Sequence, residues 1–387
     1  MDINAYKYFV HSIPKAGDAT IRELLSIYGD AAEVYLAALR MDAEFKRIIK
    51  DKRIEEVKYF VENWDVEREY QKLTQMGINC VFSDDANYPK RLLDIDTPPY
   101  GLYYKGKLPC DDVPAVAIIG ARNCSEYGTF VANAFGEAMA EHDINVISGM
   151  ARGIDGIGQR GALNNGGRTY AVLGSGVDVC YPECNFKLYR EIQKDGGILS
   201  PFVPGTQPQK SLFPQRNKLV AALADLVLVV EAKQKSGTAI TVNLAMDMNR
   251  DIYAVPGRLT DRLSDGCNRL IRDGAGIALS PEDILRELSV LWGSKMPDSR
   301  RLGADSIKKL DTKAPDKDIG ILRYLDYEPQ SVDAIHEKRI AHEKGISLQQ
   351  TMSELVMLCM TGKASQVGSG YFYKTAESYC ESLKSSL

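Results

Sequence analysis

Between residues 115 and 280 the chain alternates short, β-rich and mainly apolar runs with longer segments of mixed character. The apolar runs are AVAIIG (115–120), NVIS (145–148), RTYAVLG (168–174), GGILS (196–200), LVLVVEA (226–232) and DIYAVPG (251–257). They favour β-structure and lack the polar alternation of a strand with one side in water. Segments of helical length separate them. Strands apolar on both faces and joined through helices predict a doubly wound α/β domain with a parallel sheet covered on both sides. GIALS (276–280) followed by PEDILREL ends that domain, with Pro281 at a helix start.

The flanking regions follow other patterns. Ile21, Leu24, Leu25 and Tyr28 recur at helical spacing, and Gly17 and Gly29 punctuate, so residues 1–75 are expected to form a small helical domain. IPKAG (13–17) resembles a turn between helices that presents backbone amides to a phosphate. Lys15 and Ala16 stand where such a turn is glycine-rich, and a plain helical connection fits equally well. From Gly77 to Gly106, Tyr88-Pro89 and Pro98-Pro99 force extended backbone ahead of LYYKG, and this stretch is grouped with the α/β domain as 76–292. Residues 293–316 are polar, charged and poor in core formers, as expected of a linker. IGILRYLDY, SVDAI, SLQQTMSELVMLCMTG, a glycine turn and YFYK then read as helix, helix, helix and hairpin, a winged-helix domain over 317–378. Its cations and acids balance, which favours a partner-binding or packing role over DNA reading.

Composition narrows the function classes. The 387 residues are 44% hydrophobic, enough for two or three globular domains, and carry a formal charge of −4. That charge excludes polyanion binding by bulk positive charge and leaves room for a local basic groove. Eight cysteines are scattered without metal-ligand spacing, and Cys180 and Cys184 have no histidine nearby. The N-terminus MDINAYKYFV has no signal-peptide pattern, and the longest apolar run, LVAALADLVLVV, is interrupted by Asp225 and too short to span a bilayer. A soluble, cytoplasmic protein with no membrane partner is expected.

In an open α/β sheet, ligands lie beyond the carboxyl ends of the strands, against helix N-termini. The unusual residues gather there: GARNCSEYG (120–128), SGMARGIDG (148–156), GSGVD (174–178), FPQRN (213–217) and EAKQKSGTAIT (231–241). Arg122, Arg152, Lys210, Arg216 and Lys235 are thereby expected to converge on one rim. Each loop alone could be a tight turn with a capping arginine, but glycine with a cation or hydroxyl at every strand end points to an anion. GSGVDV lacks the dinucleotide fingerprint and no GxxxxGK[ST] is present. His11, His142, His336 and His342 fall outside the strand-end motifs, and Ser125, Ser148 and Ser236 have no evident base partner. Asp155 and Asp178 are expected to brace their loops, with an acid–base pair as the alternative.

GARNCSEYG, SGMARGIDGIGQRGAL, YAVLGSGVDVCYPECN, FPQRNKLVAALAD, EAKQKSGTAIT and AVPGR…SDGCNRLIRDGA resemble, in order and spacing, the DNA-processing protein A family (DprA, also called Smf). ANYPKRLLDIDTPPYGLYYKG resembles the segment which that family carries before its Rossmann-like domain. The resemblance implies a protein of natural transformation and recombination that binds and protects single-stranded DNA and helps load a RecA-type recombinase. It implies a homodimer, no cofactor and no enzymatic turnover. Carried over by motif, Gly120, Ala121 and Arg122 form a phosphate-binding loop with Ser148, Gly149 and Gly174 nearby. Phe213 would stack a base, Arg216 bind phosphate with Asn217 in support, and Lys235, Ser236 and Gly237 complete the rim. An aromatic platform beside cations is what an unstacked strand requires. The rival is a Rossmann-like nucleotide enzyme or sensor related to phosphoribohydrolases, although no acid follows the glycine-threonine of KSGTAIT. A second rival is a scaffold that holds a recombinase and uses its sheet only for dimerisation.

Overall fold

All the predicted apolar runs become strands of one sheet. The computed structural model describes residues 2–297, 320–326, 329–343, 345–367 and 370–374, so most of the expected linker (298–316), residues 317–319 and the end at 375–378 lie outside the described residues. Two compact units divide the chain at residue 300.

In the first unit the strands are β1 (Asn79–Phe82), β2 (Gly101–Gly106), β3 (Ala115–Ile119), β4 (Asn145–Ser148), β5 (Thr169–Val172), β6 (Gly197–Ser200), β7 (Leu226–Val229), β8 (Asp251–Ala254) and β9 (Gly276–Ile277). They are ordered β1-β2-β6-β5-β4-β3-β7-β8-β9. From β6 to β9 all neighbours are parallel. Strands β3 to β7 are buried along their whole length, which explains why both faces are apolar. The extended segment before the Rossmann-like part is an antiparallel hairpin, β1–β2, which joins β6 antiparallel with Tyr103 opposite Ser200.

Residues 3–75 form six helices: α1 (Ile3–Ser12), α2 (Asp18–Tyr28), α3 (Ala31–Arg40), α4 (Ala43–Ile49), α5 (Ile54–Asn63) and α6 (Val66–Gln75). Asp2, Asp30, Asp42 and Asp65 each cap one of them by accepting a backbone N–H in the first turn. Their apolar side does not close on itself. Phe9, Ile21, Leu24 and Val34 share one core with Tyr103 of β2, Ile198 of β6 and Leu188 and Ile192. The boundary expected at residue 75 therefore falls inside a continuous core. The His11 ring stacks on Tyr103 at 5.4 Å, with Nδ1 2.7 Å from the Tyr103 hydroxyl, and burial lowers the His11 pKa to about 4. IPKAG is the α1–α2 connection, where Lys15 pairs with Glu56 at 2.6 Å and its carbonyl accepts from Arg53.

The sheet is covered by α7 (Glu126–Glu141), α8 (Ile154–Asn164), α9 (Phe186–Asp195), α10 (Leu212–Leu223), α11 (Gly237–Asp247), α12 (Asp265–Arg272) and α13 (Pro281–Trp292). Pro281 opens α13 behind a Ser280–Asp283 capping box, as its sequence position predicts.

The second unit contains β10 (Gln330–Ser331), α14 (Val332–Ile340), α15 (Leu348–Met360), β11 (Ala364–Val367) and β12 (Tyr371–Lys374), with sheet order β10-β12-β11. Ile321, Leu325, Ile335, Leu355 and Phe372 form its core. The first expected helix there is only a 3-10 turn, Gly320–Tyr324. Gly320 sits at φ +79°, outside the helical region, so the helical pattern has no regular start. Glu354, the one charged residue of α15, pairs with Arg339 at 3.0 Å.

Candidate functional site

FPQRN opens α10. Pro214 lies in the first turn, where a missing N–H costs nothing, and it fixes where the helix begins. Phe213 thereby sits at the helix start and Arg216 one turn further in. Phe213 is half-buried and packs on Gly174, just past β5. A Cβ at Gly174 would stand 2.7 Å from Phe213 Cδ1, closer than carbon atoms approach, so the ring occupies the place of a side chain. The Tyr181 ring lies 5.8 Å away. The Arg122 guanidinium carbon is 5.6 Å from the Phe213 centroid and that of Arg216 5.9 Å, both within cation–π range.

The two arginines differ. Arg122 is exposed, on the loop after β3. Arg216 is only 5% exposed. Its Nη1 donates to the carbonyls of Gly149 at 2.5 Å and Val172 at 2.6 Å, and its Nε donates to Asn217 Oδ1 at 3.0 Å. A side chain at Gly149 would overlap this guanidinium. Burial lowers the Arg216 pKa to about 10, opposed by the charge of Asp155. Asp155, also buried, accepts the Gly149 N–H at 3.2 Å. Burial raises its pKa, and Arg216 and the Gly149 hydrogen bond pull it down. Arg216 thus clasps the ends of β4 and β5 from inside, and most of its donors are engaged by the protein.

Other predicted residues are also engaged internally. Ser148 is fully buried and donates to the Ile118 carbonyl at 2.7 Å, joining β4 to β3. The Ala121 N–H, next to Gly120, donates to the Glu231 carbonyl at 2.7 Å. Asp178 accepts the Gly205 N–H on both carboxylate oxygens, at 2.9 and 3.0 Å, so it braces its loop as Asp155 does. Lys235 and Gly237 are exposed after β7. Ser236 precedes α11 with its Oγ buried and without a hydrogen-bond partner among the described residues.

The structure therefore brings Arg122, Gly149, Gly174, Phe213, Arg216 and Asn217 into one contact group, while Lys235, Ser236 and Gly237 lie on the next loop along the rim. Lys210, exposed three residues before Phe213, belongs with the surface cations Arg122 and Arg152. Sequence reasoning gave no role to Glu231, the acid that precedes KSGTAIT, which is 1% exposed and accepts from both the N–H and the Oγ of Ser125. Its one signal was an acid placed directly after a buried strand. Among the described residues, no group of His, Cys, Asp or Glu could hold a metal ion, and no helix is long and apolar enough to cross a membrane.

Comparison with known proteins places these features in a family. Residues 79–289 match the family described as DNA recombination-mediator protein A. The chain is 41% identical over 231 residues to the DNA processing protein DprA of Streptococcus pneumoniae, covering 59% of this chain and 80% of that one. It is 30% identical over 302 residues to the protein Smf of Escherichia coli, covering 77% and 78%. The X-ray structure of the S. pneumoniae protein superposes with a TM-score of 0.64 at 34% identity, over 74% of this chain and 99% of that chain. A structure of DNA processing protein A from Helicobacter pylori, described for its single-stranded DNA binding mode, gives a TM-score of 0.50 at 31% identity, over 55% and 95%. A doubly wound sheet with its strand-end motifs intact, matched over more than half its length by one family, makes this chain a member of the DNA recombination-mediator protein A family.

Proposed function

We propose that the chain binds single-stranded DNA along the rim of its sheet, without base specificity and without turnover. The observation that carries this reading is Phe213, seated on Gly174 within 6 Å of two guanidiniums, one of them exposed. An unpaired strand offers bases to stack and phosphates to neutralise, and a ring beside a free cation meets both needs. Arg122 supplies the phosphate contact, with Lys210 and Lys235 along the rim. Arg216 contributes by holding the Gly149 and Val172 loop ends at a fixed separation. The single-strand binding of the Helicobacter relative supports the same assignment. With family membership, the reading extends to protection of incoming strands and delivery to a RecA-type recombinase by a homodimer.

Fluorescence anisotropy of the full chain with a labelled single strand, a blunt duplex and a labelled mononucleotide at matched salt tests this. The single strand should bind tightest. Equal affinity for duplex, or saturable binding of the mononucleotide at lower concentration, would overturn it.

A further inference from the structure

Strand order reverses at β3, which lies between β4 and β7. In sheets of this kind the crevice over the reversal takes the ligand, with phosphate on the N-terminus of the helix after the first strand. Here that helix is α7, and a carboxylate of the protein already occupies its N-terminus. Glu231, 1% exposed, accepts the Ser125 N–H at 2.9 Å and the Ser125 Oγ–H. Ser125 caps α7, its Oγ accepting the Gly128 N–H at 3.0 Å. A Cβ at Gly128 would overlap the Glu231 carboxylate, so the first turn of the helix is shaped around it. The Glu231 carbonyl also holds the Ala121 N–H. One residue therefore fixes the loop that carries Arg122 on either side of that arginine.

We propose that Glu231 is a specificity-determining and positioning residue of the rim. Its carboxylate fills the place a nucleotide's terminal phosphate would take and satisfies the positive end of α7. Anion binding is thereby displaced to the open-ended stretch beside Phe213, which a phosphodiester backbone can enter and leave. The positioning half rests on the single-strand reading above, and the exclusion of phosphate does not.

Thermal unfolding of the full chain, in chloride and in inorganic phosphate at equal ionic strength, tests the exclusion. Glu231→Ala should gain a phosphate-dependent rise in Tm of about 3 °C over the wild type, as for a ligand at several times its Kd. Glu231→Gln, which keeps the site filled, should show no such gain. A gain in Glu231→Ala no larger than the wild type's would overturn the exclusion. If Glu231→Ala has no cooperative transition in chloride, its recovery in phosphate supports the proposal, and its absence in both overturns it. Anisotropy with a labelled single strand tests the positioning. Glu231→Ala should lose roughly tenfold in affinity, about the effect of one charge-assisted hydrogen bond, and Glu231→Gln should recover most of it. A phosphate gain with strand affinity unchanged overturns the positioning half alone. A wild type that binds no single strand overturns the single-strand reading, and the phosphate comparison still decides the exclusion.

Discussion

On the β4–β5 side and the β7 side of the rim, Arg216 and Lys235 are held in opposite ways, although each side also buries a carboxylate, Asp155 and Glu231. On the side of β4 and β5, Ser148, Asp155 and Arg216 are buried and hydrogen-bonded to backbone carbonyls or amides. On the side of β7, Lys235 and Gly237 stand in solvent and Ser236 Oγ has no hydrogen-bond partner among the described residues. A cation locked onto two carbonyls acts through the loops it holds, whereas a free cation acts through the charge it presents. Residues of the same type on one rim should therefore fail in different ways when removed.

The largest effect should follow Arg216→Ala. It leaves two buried carbonyls and the Asp155 carboxylate without their cation, which should cost about 3–5 kcal/mol of stability in denaturant unfolding at pH 7. The pH dependence gives its sign. Asp155 has a folded-state pKa raised above its ordinary value, so protonation favours the folded form. That contribution is fully present below about pH 3.9 and is lost as pH rises through the folded pKa. Without Arg216 the folded pKa rises further, so the deficit should be smaller at pH 5 than at pH 8. An equal deficit at both would show that the two groups are uncoupled.

Phe213→Ala should come next, weakening single-strand binding by about 1–3 kcal/mol with the salt dependence unchanged. Gly174→Ala should act in the same direction, because its Cβ evicts the ring from its seat. Loss of folding instead of binding would make the ring a core residue. Arg122→Ala should keep stability within about 0.5 kcal/mol and make the slope of log affinity against log salt shallower by roughly 0.7, the value for one phosphate contact. Lys235→Ala should be the smallest, below about threefold in affinity, since an exposed charge on the next loop along the rim from Phe213 is screened by salt. A Lys235 effect on stability as large as that of Arg216 would erase the distinction between the two sides.

The sheet was legible in the sequence because a central parallel strand is apolar on both sides, a local property that AVAII and LVLV state outright. The hairpin β1–β2 was read only as extended backbone, since the pairing of Tyr104 and Lys105 with Leu199 and Ile198 of β6 joins residues more than 90 positions apart. The separate helical domain expected at the N-terminus followed from local spacing, which carries no information about what a helix packs against. His11 meets Tyr103, 92 residues away. The site shows the same limit. Phe213 and Arg122 were readable as ring and cation, but the burial of Arg216 depends on carbonyls 67 and 44 residues distant that only the folded sheet brings to it. Ser148 was placed beside the phosphate-binding loop, and its bond to the Ile118 carbonyl, 30 residues away, was hidden for the same reason. Asp155 and Asp178 were read correctly as braces, because a carboxylate near a helix start or in a glycine loop has amides within local reach.

The core that runs unbroken from α1 to the sheet, and takes in Met150 and Leu173 at the strand ends, has a consequence for the N-terminal helices. Helices that share their apolar interior with β2, β6 and α9 open together with them, as one cooperative unit. A ligand on the strand ends lowers the population of every opened form of that unit. Backbone amides in α1 and α2 should then exchange with deuterium more slowly when the rim is occupied, though no ligand touches them. The N-terminal helices would register what the strand ends are holding.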